Sequence, residues 1–329
     1  PKPPYPPATQ PVGLLPSPTP DIPVCAVLLS LFFLAGATHL LLFRRHLARA
    51  GQRFIFSLLL MGFCITRIAA LSLRIVWARN QTNANIALAA TVFTAAGVLL
   101  LFIVNLILTV RVVRGMHPAL GWSRGVWWGF RGVIASVVAC LIMVVVCSVH
   151  TLFTLDVATR LRERQVLLFA GVYMSVLAFV PVVVLGVASV VANRGPHPSE
   201  TFGKGRMGTK VALVMGMSAL LTLGAGFRCG TNFAAKPIGQ VEWFHSRAAF
   251  YCFNFAIELV VVYTYAIFRF EQRFHVPAGS SAPGHYTAGG PPTEEDSEKR
   301  GDGMNSLEAG SGGSAITDGG VKNVGQSSV

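Results

Sequence analysis

The chain has 329 residues, 53% of them hydrophobic and 12% charged, with a mean hydropathy of +0.57. A soluble domain carries about 25% charged residues, so a water-soluble globule is excluded and an integral membrane protein is expected. The formal charge of +13 does not point to nucleic acid: residues 1–274 hold 24 Lys and Arg against 7 Asp and Glu, while the remainder holds 3 against 7, so basic charge belongs to short loops between apolar runs and to membrane lipids.

In chain order, residues 1–21 are too rich in proline for a helix and read as an extended, mobile, disordered arm. Seven apolar runs follow, over residues 22–43, 54–77, 86–110, 133–155, 166–191, 211–232 and 247–268, each near the roughly 20 residues needed to span a bilayer. Continuous runs exclude an outer-membrane barrel, whose strands alternate in short segments. The expected architecture is all-α, a seven-helix transmembrane bundle over residues 22–276, followed by a disordered Gly, Ser and acidic tail over 277–329. The loops after helices 1, 3 and 5 carry twelve Lys and Arg, and those after helices 2, 4 and 6 carry five. This count places the odd loops and the tail in the cytoplasm and the N-terminus outside, in the plasma membrane or an endomembrane. Asn80, Gln81 and Thr82 form a glycosylation sequon on the same outer side.

All five tryptophans fall at helix ends or in loops, as an interfacial belt requires. The stretch WSRGVWWGFRG reads as a short segment lying on the inner surface, with Arg124 and Arg131 toward phosphates. After helix 7, Phe270 and Phe274 beside Arg269 and Arg273 suggest a second surface helix. The six cysteines read mostly as small buried hydrophobes, except that Cys25 and Cys229 both fall near the outer face, where a disulfide is chemically allowed.

The ionisable residues inside the spans carry the functional reading. Arg67 and Arg74 are seven apart and share a face of helix 2, Arg228 lies in the outer third of helix 6, and Asn254 sits one turn above Glu258 on helix 7. His150 and Tyr173 belong to the outer halves of helices 4 and 5. One reading is an Arg67–Glu258 pair locking helix 2 to helix 7, the remaining arginines snorkelling outward. The other is a cationic pocket for a small anionic or amphiphilic ligand, formed by Arg67, Arg74, His150, Tyr173, Arg228, Asn254 and Glu258. Gly226 and Gly230 fit a small-xxx-small packing seam, Pro181 should kink helix 5, and Asn105 reads as interhelical glue.

Enzymatic chemistry is not expected. No HxxxH, HExxH or phosphate loop occurs, and helix 7 has no lysine for a Schiff base, so neither a metal nor another cofactor is anticipated.

With helix 7 and its flank reading FYCFNFAIELVVVYTYAIFRFEQRFHVP, helix 2 RIAALSLRIVWA and helix 6 ending GFRCG, the chain resembles an uncharacterised family of filamentous-fungal seven-helix membrane proteins. Some of its members carry the label family C-like G-protein-coupled receptor. The similarity spans about residues 24–277 and implies a receptor-like sensor with a cytoplasmic signalling partner at its basic loops. A more distant likeness, to fungal lipid-translocating exporters, implies a lipid or amphiphile transporter instead. Helix 3 ends LTVRVVRG rather than with an acidic-Arg-aromatic triplet, and helix 7 lacks Asn-Pro-x-x-Tyr, so rhodopsin-like marks are missing.

The orientation is checked on intact cells: a tag inserted at Asn83 should be labelled from outside and a reporter after Val329 should not. Reversed labelling overturns the basic-residue count.

Overall fold

Hydrocarbon offers the backbone no hydrogen-bond partners, so an apolar run that crosses it must bond its own amides as a helix. The computed structural model describes residues 3–5, 9–50, 54–191, 199–277 and 279–287. Seven of its helices are long and apolar enough to cross a membrane: α1 (Pro18–Ala50), α2 (Ile55–Arg79), α3 (Ala84–Met116), α4 (Arg124–Phe153), α5 (Val157–Val190), α6 (Met207–Phe233) and α7 (Arg247–Ile267). The chain is thus a multi-pass membrane protein of all-α architecture. The N-terminal arm and the connections α2–α3, α4–α5 and α6–α7 share one end, the arm end. The tail lies at the other.

Helix α3 is the hub, in contact with α2, α4, α5 and α6, while α7 closes the bundle between α1 and α6. Its inward residues Leu101, Val104, Leu108 and Val112 are wholly buried. By contrast α4 buries only Val137 and Cys140, and its flank of Val138, Ile142 and Val146 is exposed along with Phe169, Val176 and Phe179 of α5. Helices apolar all round belong in lipid, so this flank is the lipid-facing wall. Asn105 ties three helices together in mid-bundle: its amide donates to Ser218 Oγ at 2.9 Å and its carbonyl accepts from the Tyr265 hydroxyl.

Caps lengthen several helices beyond their apolar runs. Helix α1 starts at Pro18 rather than 22 because Asp21 accepts from the Ser17 amide at 2.9 Å, an acceptor for the orphan first-turn donors. Ser123 accepts from Val126 N, so WSRGVWWGFRG is not a separate surface segment: its residues from Arg124 onward are the first turns of α4. Asp156 accepts from the hydroxyl and amide of Thr159, which hold its carboxyl below the usual range, and thereby starts α5 at Val157. Helix α5 continues through Pro181 without interruption.

Both ends are covered by chain that the sequence marks as tails. Residues 9–17, expected to be mobile, are stitched across the arm end: Gln10 N donates to Lys236 O at 2.8 Å, Gly13 N to His245 O at 3.0 Å, and Gln81 Nε2 to Pro16 O at 2.7 Å. Unsatisfied backbone groups in this arm found acceptors in the long α6–α7 connection. At the tail end, Arg269 takes a left-handed conformation (φ 50°) and turns the chain back under the bundle. Phe270 and Phe274 are therefore buried rather than lying on a leaflet, Phe270 against the rings of Phe54, His39 and Tyr265. Residues 279–287 also return: Glu200 accepts from Gly284 N at 2.6 Å and Tyr286 N at 3.0 Å, and the Tyr286 ring packs edge-on against Trp122 and Phe202. Of the expected disordered tail, residue 278 and the residues from 288 onward fall outside the described residues.

Gly203 (φ 55°) marks the tightest joint of this end, since a Cβ there would lie 2.3 Å from the Arg273 carbonyl oxygen. Gly203→Ala should lower stability by about 1–3 kcal/mol, a left-handed strain with a backbone neighbour that cannot retreat, while Gly216→Ala, facing open space, should not. The comparison is read as the thermal unfolding of both variants in detergent.

Candidate functional site

Helix α7 is not uniform. Residues Cys252–Ala256 form a π turn, the kind of widened turn that often marks functional positions. Immediately below it, Glu258 meets two arginines. Arg67 Nη2 donates to Glu258 Oε1 at 2.8 Å and Arg67 Nε approaches Oε2 at 2.6 Å, while Arg228 Nη1 reaches Oε1 at 3.3 Å. Arg67 is wholly buried. Its Nη1 donates to the Thr94 carbonyl at 2.7 Å, and its guanidinium lies 5.2 Å from the Phe63 ring centre and 5.6 Å from that of Phe255. A side chain at Gly97 would meet Thr66 Oγ1 at 2.6 Å and Arg67 Cζ at 3.1 Å, so the glycine makes room for both. Arg228 also contacts Asn254 Oδ1 at 3.4 Å and keeps 23% of its side chain exposed.

A second carboxylate lies nearer the arm end. Asp21 Oδ1 accepts from Arg74 Nη2 at 2.9 Å and from the Tyr251 hydroxyl at 2.6 Å, and its Oδ2 from Arg247 Nε at 2.9 Å. Arg74 also donates to Tyr251 Oη at 3.0 Å and to the Gly13 carbonyl at 2.9 Å, and its guanidinium stacks 4.1 Å from the Phe250 ring centre. Four guanidinium groups thus face two carboxylates around α7. Low dielectric strengthens each pair and penalises any member left alone.

Of the residues expected at this site, Arg67, Arg74, Arg228, Asn254 and Glu258 converge. His150 and Tyr173 do not. His150 pairs with Glu163, whose other oxygen accepts from Thr151 Oγ1 at 2.7 Å. Tyr173 bonds Ser136 on the exposed α4–α5 flank. Both have the right depth but lie on helices whose inward faces meet α3 and α6 rather than α7. The Cys25–Cys229 bridge is also absent: Cys25 Sγ lies 3.2 Å from Tyr251 Oη, whereas Cys229 packs against Gly171 of α5, and both thiols are free. Close approach on α6 comes from Gly224, 3.0 Å from the Phe253 carbonyl for an added Cβ, while Gly226 and Gly230 face open space.

Sequence reasoning missed Asp21, Arg247 and Tyr251. The signal for Asp21 was an acidic residue just before an apolar run, where the first turn of a helix favours it. Among the described residues, no group of three or more His, Cys, Asp and Glu stands close enough to hold a metal ion.

The model of a family described as "Protein of unknown function (DUF3112)" matches residues 190–275, a stretch containing Arg228, Arg247, Tyr251, Asn254 and Glu258. No curated protein and no solved structure matches the chain.

Because Glu258 answers two arginines, its loss should cost more than the loss of either cation. Glu258→Gln should lower stability by about 3–5 kcal/mol and Arg67→Gln by less, with the double variant recovering part of the sum. Strictly additive losses in thermal unfolding would show that the two groups are not coupled.

Proposed function

We propose that the protein is a membrane sensor for an anionic amphiphile, read by the π turn of α7. The observation that supports this is an open groove directly behind that turn. It is a cavity of about 350 Å³ between Val24, Val27 and Leu28 of α1 and Tyr251, Cys252 and Ala256 of α7. Its walls are apolar and suit a hydrocarbon chain. One turn above Tyr251 on the same face of α7, Arg247 holds Asp21 with a third of its side chain still exposed (33%), which offers an anionic head a partner at the groove's mouth.

Cys252 and Ala256 open and close the π turn, so a chain in the groove presses on its two ends. Moving such a turn by one residue rotates the adjoining helix by about 100°. Asn254 would then leave Arg228, and the sharing of Glu258 between Arg67 and Arg228 would change. A two-state element of this kind converts occupancy into a change at the tail end, where the basic loops offer a cytoplasmic partner its contacts. Asn80 is exposed at the arm end and is the proposed glycan acceptor.

Transport of a lipid or amphiphile through the same groove is the competing reading. The sensor is favoured because the bundle below Glu258 is bridged by Asn105, Ser218 and Tyr265 and filled by Leu101, Val104 and Val261, which gives an amphiphile no continuation inward.

Full-length protein in nanodiscs, titrated with a long-chain fatty acid as probe, should bind it saturably. Val27→Trp should abolish binding by filling the groove, whereas Val260→Trp, on an exposed face of α7, should not. Equal binding by both variants sinks the groove, and movement of fluorescent lipid across proteoliposomes would establish the transporter.

A further inference from the structure

The tail end carries a second cavity, of about 460 Å³, built from three parts of the chain. Arg114 comes from the last turns of α3, Trp122, Arg124, Trp127 and Trp128 from the α3–α4 junction and the start of α4, and Ser280 and Ser281 from the returning tail. We propose that it binds the phosphate-bearing head of an anionic phospholipid from the leaflet at that end.

Three observations point to this ligand. The first is charge. Arg114 and Arg124 line one groove, and among the described residues no carboxylate pairs with either. Arg114 is already set in place, its Nε donating to Gly121 O at 3.1 Å and its guanidinium stacked 4.3 Å from the Trp122 ring centre. A stacked, oriented guanidinium presents its remaining N–H groups in a fixed fork that matches phosphate oxygens.

The second is an orphan donor. Trp122 Nε1 is buried and has no hydrogen-bond partner among the described residues. An indole N–H is a donor only, so what completes it must be an acceptor, as a phosphate oxygen or a headgroup hydroxyl is. The third is location. Trp128 is 66% and Leu120 61% exposed beside the groove, at the start of a helix that then runs into lipid. Indoles of this kind settle at the headgroup level. A phosphate in the groove therefore has hydrocarbon-compatible surface next to it for the acyl chains, which a free inorganic anion would not use.

The wall formed by the tail is the unusual part. Residues 279–287 are held under the bundle by Glu200 and by Tyr286, so Ser280 and Ser281 face the arginines from the chain's own tail. Ser281 N is held by His285 Nδ1 at 3.3 Å. The headgroup would thus sit between the membrane-spanning helices and the root of the C-terminal segment, and its binding would fix that root.

The test uses full-length protein in phosphatidylcholine nanodiscs containing a minor fraction of phosphatidic acid, with retained lipid counted by native mass spectrometry. Wild-type protein should retain phosphatidic acid in preference to phosphatidylcholine. Arg124→Gln, at an exposed position, should weaken that retention about fivefold, the effect of one basic residue at an anionic surface. Trp122→Phe, which keeps the ring and removes the N–H, should weaken it by a smaller factor. Retention of phosphatidic acid unchanged in both variants overturns the proposal, as does equal retention of the two lipids. A protein isolated with phosphate on Ser281 and no retained lipid would also overturn it, the arginines then serving a phosphoserine of the same chain. Competition by millimolar inorganic phosphate that matches phosphatidic acid in strength would show that the acyl chains add nothing, and would refute the lipid as ligand.

Discussion

A carboxylate in hydrocarbon is tolerated only when a cation answers it, and the arrangement of this bundle follows from how Glu258 is answered. Arg67 arrives from α2 and Arg228 from α6, so one acidic side chain on α7 fixes the azimuth of three helices. The apolar contacts around them set the distance between helices but not their rotation, because helices this uniformly hydrophobic have many equivalent faces. Directional, desolvated charge pairs supply what packing leaves undetermined. Asp21 does the same one level higher, setting α1 against α2 and α7 through Arg74, Arg247 and Tyr251.

The two carboxylates also divide labour by accessibility. Asp21 and Glu258 are fully enclosed, yet each has one arginine that reaches the surface, Arg247 and Arg228 respectively. Charge from outside the bundle can therefore act on the buried groups through a cation that is part of both environments. The π turn lies between the two centres, which makes it the place where a change in one is felt by the other.

Much of this was legible in the chain. Seven apolar runs give seven helices, and ionisable residues inside such runs announce themselves, which is why Arg67, Arg74, Arg228, Asn254 and Glu258 are found without a structure. Depth could be read by counting residues; azimuth could not. His150 and Tyr173 are at the right level, but α4 and α5 are apolar on every side, so nothing in their sequences says which face turns inward. Asp21 was hidden by its position just ahead of the first apolar residue, where a polar residue reads as loop. Arg247 and Tyr251 lay in plain view but had no visible partner until Asp21 entered the bundle. The π turn has no signature at all, since no proline or glycine interrupts FYCFNFAIEL.

The separation of the pairs along the chain bears on how the protein is made. Asp21 and Arg74 are 53 residues apart, but Arg67 and Glu258 are 191 apart. At a synthesis rate of about 5–20 residues per second, Arg67 waits roughly 10–40 s after α2 emerges before its counter-ion exists. During that interval the Arg67 guanidinium of α2 lacks its carboxylate and is best accommodated by reaching toward the headgroups. Helix α4, with mean hydropathy 2.8 in its best window against 1.6 for α6 and α7, needs no such accommodation. Assembly of this bundle is therefore completed only by its last helix, and a chain cut short before α7 leaves Arg67 without its counter-ion.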